Sequence, residues 1–220
     1  MDTSNAVSLI RNNQDTSIEG YHDLILKIGL NDETLQQQPA ELSEYFGKGL
    51  KLWQYPNQLS VFANYISNLS ISSYLEIGCR YGGTFIFISE VLRKNNENIQ
   101  LHACDLIPIS KILSSYAQIQ NFTYTQNSSK NLIFPDKTPE FVFIDGDHRY
   151  DFVKSDFNLF ADKKETKYIV FHDIDNDDCI DVSRFWKEIQ KDSRFNTIEF
   201  CDQYESVNGH FLGIGLAIRK

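Results

Sequence analysis

The feature that most constrains this chain is a series of short apolar runs after Ser70, each separated from the next by a segment with helical spacing. The strand-like runs are SYLEIG (73–78), IQLHACDL (99–106), NFTYTQ (121–126), FVFID (141–145) and YIVFHD (168–173). Between them lie GTFIFISEVLRK, ISKILSSYAQI, the shorter SSKNLIF and YDFVKSDFNLFAD. Parallel neighbours in a sheet need a crossover, and a helix is the usual one. The alternation therefore predicts an α/β fold: a doubly wound, mostly parallel sheet with helices on both faces. The end of the chain breaks the pattern. After the helical VSRFWKEIQK come FNTIEF (195–200) and GHFLGIGLAIRK (209–220), joined only by a loop, which predicts an antiparallel last strand in a seven-stranded sheet.

Upstream of Ser70 the texture is helical instead. YHDLILKIGL and NQLSVFANYISNL space their apolar residues three and four apart, with Tyr55-Pro56 breaking the chain before the second. The first fifteen residues are polar and are expected to be mobile. The chain thus divides into an N-terminal helical extension (1–70) and a sheet-forming domain (71–220).

Charge and cysteines narrow the function classes. A formal charge of −9 disfavours a nucleic-acid partner, whose phosphates would repel such a surface. No stretch is apolar for long enough to span a membrane, and the N-terminus lacks the basic-then-apolar pattern of a secretory signal. Cys79, Cys104, Cys179 and Cys201 are widely spaced and form no CxxC pair. They are expected to be reduced, mostly buried thiols of a cytoplasmic protein.

In open sheets of this kind ligands bind beyond the carboxyl ends of the strands. The first strand delivers LEIGCRYGGT there, with Gly78 and Gly82 permitting a tight turn and close approach of a ligand to backbone. Gly82-Gly83 alone would do no more than open a helix. Two acids sharpen the reading. Glu76 sits inside the strand, where a dinucleotide fold carries an apolar residue, and the second strand ends in Asp105, spaced to accept both hydroxyl protons of a ribose.

On LEIGCRYGG and HACDL, the chain resembles the class I S-adenosylmethionine-dependent methyltransferases over roughly residues 71–220. The resemblance implies a Rossmann-like methyltransferase fold with S-adenosylmethionine as cofactor. Glu76, Gly78 and Gly82 would then lie against its methionine part and Asp105 on its ribose. Asn127 and Ser128, after the third strand, take the adenine-contacting position. NAD is disfavoured, since the glycine pattern departs from G-x-G-x-x-G and Glu76 has no place in that fingerprint.

The strand tips carry the second resemblance. FVFIDGDH is similar to the bacterial metal-dependent O-methyltransferase and cephalosporin hydroxylase-like group with an IDGDH tip. Two adjacent strands ending at Asp145 and at His172-Asp173 would gather carboxylates that repel unless a cation or proton intervenes. Mg²⁺ or Mn²⁺ suits such oxygen ligands. The resemblance implies Asp145 and Asp173 as metal ligands and leaves the third open between His172 and the position of Ile174. His148 would be the general base, with Asp147 second; both also suit a helix cap. DIDNDDCID (173–181) begins like a calcium loop but lacks its glycine and closing glutamate, so it reads as an acidic loop in which Asp181 caps the following helix.

The implied activity is O-methylation of a small molecule or glycan. Metal-dependent hydroxylation or hydrolysis on the same fold, and a non-catalytic cofactor-binding module, remain alternatives. In the resembling family the N-terminal helices cover the acceptor site or build a homodimer interface. Trp53 and Tyr55 are candidates to stack on an acceptor ring, whereas Phe62 reads as core.

Overall fold

The computed structural model describes residues 1–33, 37–134 and 137–220. Its sheet comprises β1 (Ser73–Ile77), β2 (Gln100–Asp105), β3 (Thr123–Gln126), β4 (Phe141–Ile144), β5 (Tyr168–His172), β6 (Phe195–Phe200) and β7 (Ile214–Arg219). The strand order is β3-β2-β1-β4-β5-β7-β6. β1 to β5 pair in parallel, and β7 enters antiparallel between β5 and β6. This is the doubly wound seven-stranded arrangement expected from the alternation. The reversal of order lies between β1 and β4, so the tips of those two strands are where a ligand crevice opens.

Helices α4 (Gly83–Arg93) and α5 (Lys111–Tyr116) cover one face, while α6 (Tyr150–Asn158) and α7 (Ile180–Ile189) cover the other. The period of two in the strands sorts their residues between these layers. Tyr74, Phe141, Phe143 and Val170 join the first core; Leu75, Val142, Ile169 and Phe171 join the second. Continuing that alternation one step carries Glu76, Asp145 and His172 to the first face.

That face also receives the N-terminal extension, with α1 (Thr3–Asn12), α2 (Ile18–Ile28) and α3 (Pro56–Ile66). Pro56 opens α3 at the one position where its missing N–H costs nothing. Leu59, Phe62, Ala63 and Ile66 then bury into the core shared with the sheet.

The expectation of a mobile start is overturned. Asp2 caps α1 by accepting from Asn5 N at 2.8 Å, and Ala6, Val7 and Ile10 are buried. Arg11 forks onto Glu90 of α4 at 2.8 Å through Nε and Nη2, and Tyr116 donates to the same carboxylate at 2.7 Å. Those partners lie 79 and more residues downstream, so the segment's own composition could not reveal them.

Local boundaries also shift. SSKNLIF forms only a single 3₁₀ turn, Ser129–Asn131. The last strand starts at Ile214 rather than Gly209, because Leu212 and Gly213 take positive φ angles of 65° and 91° and turn the chain first. Asp181 does not cap α7; its carboxylate accepts from Tyr150 N at 3.1 Å, at the start of α6. All four thiols are free, and among the described residues no helix is long and apolar enough to cross a membrane.

Candidate functional site

The glycine turn joins two cavities. Gly78 leaves β1 with φ +83° and donates to Cys104 O at 2.8 Å, and a Cβ there would collide with the Asp145 carbonyl. Gly82, at φ +86°, opens α4, and a Cβ there would overlap the Leu113 side chain. Both positions need glycine, for clearance as well as for φ.

On one side of the turn is a cavity of about 480 Å³ lined by Asp105, Ile107, Asn127, Ser128 and Asp147. Asp105 accepts from Arg80 N at 2.7 Å and from Ile107 N at 3.2 Å, which hold its carboxylate at the cavity edge. Asn127 N donates to Asp105 O at 2.9 Å, and the Asn127 side chain accepts from Ser128 N and Asn131 Nδ2. The three residues assigned from sequence to ribose and adenine therefore share one cavity. Asp147 is held by Arg149. Its carboxylate accepts from Arg149 N at 3.0 Å and pairs with the Arg149 guanidinium, which holds it down at about 2. A carboxylate so stabilised in its ionised form is a weak base.

On the other side is a cavity of about 230 Å³ with Glu76, Asp145, His148 and Asp173 in its wall. Gly78, Arg80, Asp145 and Gly146 line both cavities, so the two are contiguous. Glu76 is only 1% exposed, and burial pushes its carboxyl up to about 8, although the Tyr74 hydroxyl donates to it.

The strand tips converge as the alternation requires. His172 Nδ1 lies 3.1 Å from Asp145 Oδ1 and 2.9 Å from Asp173 Oδ2. His148 Nε2 lies 3.2 Å from Asp173 Oδ2 and 3.6 Å from Asp145 Oδ1. Asp173 takes a left-handed φ of 60°, and Asn176 Nδ2 holds its other oxygen at 2.6 Å. Ile174 is buried in the opposite core, so His172 and Asp173 are the pair that faces Asp145. One ligand atom from each of Asp145, His172 and Asp173 falls within 4.8 Å of the others.

The charges of this cluster are interdependent. Burial opposes ionisation of Asp173, but the two imidazoles facing it keep its carboxyl at about 2. His148 is lifted to about 10, first by Asp145 and then by Cys179, whose sulfur lies 3.1 Å from His148 Nδ1. Burial disfavours the charged form of His172, yet the two carboxylates raise it well above an ordinary imidazole.

Three side chains of this site escaped the sequence reading. Gln54 is buried, and its Oε1 meets His172 Nε2. Arg80 stacks 4.4 Å from the Trp53 ring centroid and lines both cavities, and Cys179 braces His148. Their sequence surroundings, LWQYP for Gln54, the glycine turn for Arg80 and the acidic loop for Cys179, do not point to these contacts. Trp53 does line the smaller cavity. Tyr55 does not: it is buried, its hydroxyl donates to Gln37 O, and its ring packs on Tyr204 and Phe211. The expected stacking role for Tyr55 is thus withdrawn. Phe62 is core, as expected.

Residues 75–174 match the family model described as a methyltransferase domain. The matched part of the chain is thus similar to methyltransferase domains. That segment spans β1 to the tip of β5 and contains Glu76, both glycines, Asp105, Asp145, His148 and Asp173. Among solved structures, the O-methyltransferase TomG of Streptomyces achromogenes, involved in tomaymycin synthesis and bound to S-adenosylmethionine, is 16% identical. The alignment covers 78% of this chain and 83% of that one, with a TM-score of 0.55. An O-methyltransferase from Bacillus cereus with S-adenosylhomocysteine is 16% identical over 76% and 82% of the two chains, with a TM-score of 0.52. The 1,6-didemethyltoxoflavin N1-methyltransferase of Burkholderia thailandensis is 11% identical over 75% and 77%, also with a TM-score of 0.52. At such identities the likeness establishes the shared fold. No curated protein matches the chain.

Proposed function

We propose that the protein is an S-adenosylmethionine-dependent O-methyltransferase acting on a hydroxyl of a small molecule or glycan, assisted by a divalent cation. The observation that carries this reading is the meeting of Asp145, His172 and Asp173 in the wall of a cavity contiguous with the one around Asp105. In this reading residues 71–220 hold the cofactor, and residues 1–70 wall the acceptor side through Lys51 and Trp53.

The donor set fits both groups. Asp105 and the Asn127–Ser128 turn supply acceptors and donors to an adenosine. The buried Glu76 offers a carboxylate to a cationic amino-acid moiety. Asp145, Asp173 and the His172 imidazole would hold a divalent cation such as Mn²⁺ or Mg²⁺. When bound, the cofactor supplies an electrophilic methyl group and the cation lowers the pKa of the acceptor hydroxyl. The protein's own contribution is positioning: Asp145 belongs to both cavities and so relates acceptor oxygen to methyl carbon. His148 retains its proton because Asp145 and Asp173 face it. Neutralising those carboxylates frees its imidazole to take the hydroxyl proton. The support for His148 over Asp147 is that it lines the acceptor cavity and has no fixed arginine partner.

The direct test is calorimetry with S-adenosylmethionine, followed by an S-adenosylhomocysteine release assay over a panel of hydroxylated acceptors, with Mn²⁺ or with chelator. Binding and chelator-sensitive release are expected. Failure to bind the cofactor sinks the proposal, and binding without any turnover favours a non-catalytic cofactor module. Asp105→Ala is expected to weaken cofactor binding by about 2 kcal/mol, roughly 30-fold, as loss of charge-assisted bonds to a ribose.

Glu76 adds a pH dependence whose two signs are opposite. Its folded-state carboxyl, at about 8, lies above the ordinary 4.5, so the folded apoprotein holds the proton more tightly. Its contribution to apoprotein stability is therefore fully present below 4.5 and is lost as pH rises towards 8. A cationic cofactor prefers the ionised form, so its affinity is expected to rise with pH and level off above 8. Calorimetric titrations at several pH values in chelator will read this slope; Glu76→Gln should flatten it.

A further inference from the structure

We infer that Gln54 and Gln58 form a hydrogen-bond relay that decides which nitrogen of His172 faces Asp145 and Asp173, and so orients His172 as the third ligand of the divalent-cation site. The inference rests on the metal reading above and extends it to two residues of the N-terminal segment.

The relay is anchored in backbone, which makes its direction readable. Gln58 is 0% exposed on α3. Its Oε1 accepts from Gly213 N at 3.0 Å, and its Nε2 donates to Asp202 O at 3.0 Å and Phe211 O at 3.3 Å. A peptide N–H can only donate and a peptide carbonyl can only accept, so this amide cannot be turned over without losing all three bonds. Gln54, 4% exposed, must therefore present Nε2 to Gln58 Oε1 and its own Oε1 to His172 Nε2. An amide oxygen only accepts, so the hydrogen of that bond belongs to His172 Nε2.

The consequence falls on the other ring nitrogen. Of the two neutral tautomers, the relay admits the one with its lone pair on Nδ1, which lies beside Asp145 Oδ1 and Asp173 Oδ2. Three electron-rich atoms facing one point need positive charge between them, supplied by a proton on Nδ1 or, in its place, by a divalent cation. The ring itself is confined: His172 is 3% exposed and its centroid lies 6.2 Å from that of Phe143. Hydrophobic residues of the same length would fill the Gln54 and Gln58 positions without the desolvation cost of two buried amides. What the amides add is direction, the role that outer hydrogen-bond partners play for ligating histidines. Gln54 and Gln58 are thus positioning residues, acting through His172.

The test measures Mn²⁺ binding by electron paramagnetic resonance and calorimetry on the full chain, without cofactor or turnover. Gln54→Met, close in size but without an acceptor, is expected to bind Mn²⁺ about 10- to 100-fold more weakly. Gln54→Glu, held as a neutral acid by Gln58 Oε1, keeps both an acceptor towards Nε2 and a donor towards Gln58, and is expected to stay within a few-fold of wild type. Nitrogen-15 spectra of the Mg²⁺-loaded wild type give a readout that needs no variant: the His172 proton should reside on Nε2. Wild-type Mn²⁺ affinity in Gln54→Met, or a proton on Nδ1 in the loaded protein, overturns the relay and leaves the metal site standing. A wild type that binds no Mn²⁺ overturns the metal site and the relay together, while cofactor calorimetry still judges the methyltransferase reading separately.

Discussion

Asp145→Asn should leave S-adenosylmethionine bound within a few-fold of wild type and reduce turnover by roughly 10³-fold or more, equivalent to about 4 kcal/mol of transition-state stabilisation. The substitution keeps the shape of the side chain and removes its charge. Asp145 extends from β4 and meets His172 Nδ1 at 3.1 Å and His148 Nε2 at 3.6 Å. In the proposed reading it is therefore, with Asp173, a carboxylate that would both hold the cation and face the candidate base. Cofactor contacts assigned to Asp105, Asn127 and Ser128 lie on the far side of the glycine turn and are untouched. The measurement is S-adenosylhomocysteine release at saturating cofactor, with calorimetry alongside. Full activity in Asp145→Asn on an identified acceptor would show that the strand-tip cluster is not the reaction centre.

Gly78→Ala is expected to cost about 3 kcal/mol or more of stability and to remove measurable cofactor binding. Two independent penalties combine at this position. The backbone sits at φ +83°, and the added Cβ meets the carbonyl oxygen of Asp145, which is main chain and cannot swing aside. Relief requires β1 and the β4 tip to separate. That would disturb the Gly78 N to Cys104 O bond and both cavities at once. Thermal melting would read the first effect and calorimetry the second. Gly146 provides a contrast, because a Cβ there meets only side-chain atoms at 3.4 Å or beyond, so Gly146→Ala should be mild.

Much of the framework was legible because it depends on local chemistry. β6 was read to the residue, and β1, β2, β4 and β5 to within one residue at each end, since apolar runs closed by glycine or acid leave little freedom. The placement of the glycine turn, Glu76 and Asp105 at the strand edge was legible because each closes or punctuates a short apolar run. Less was legible where a partner lies far away in sequence. α1 looks like a polar tail until Glu90 supplies a buried partner for Arg11. Tyr55 looks like an exposed stacking platform until Tyr204 and Phe211 close over it.

The strand tips divide along the same line. Local pattern places Asp145 and His172-Asp173 at the ends of consecutive strands, because an apolar run closed by an acid is visible in a few residues. The folded chain alone puts His172 rather than Ile174 opposite Asp145, since the positive φ at Asp173 sends the next residue into the opposite core. It alone decided that Asp147 is taken by Arg149 while His148 joins the cluster. It alone brought Gln54, 118 residues away, onto His172. A hydrogen bond between distant segments has no period and no composition, and becomes visible only once packing has placed its donor and acceptor side by side.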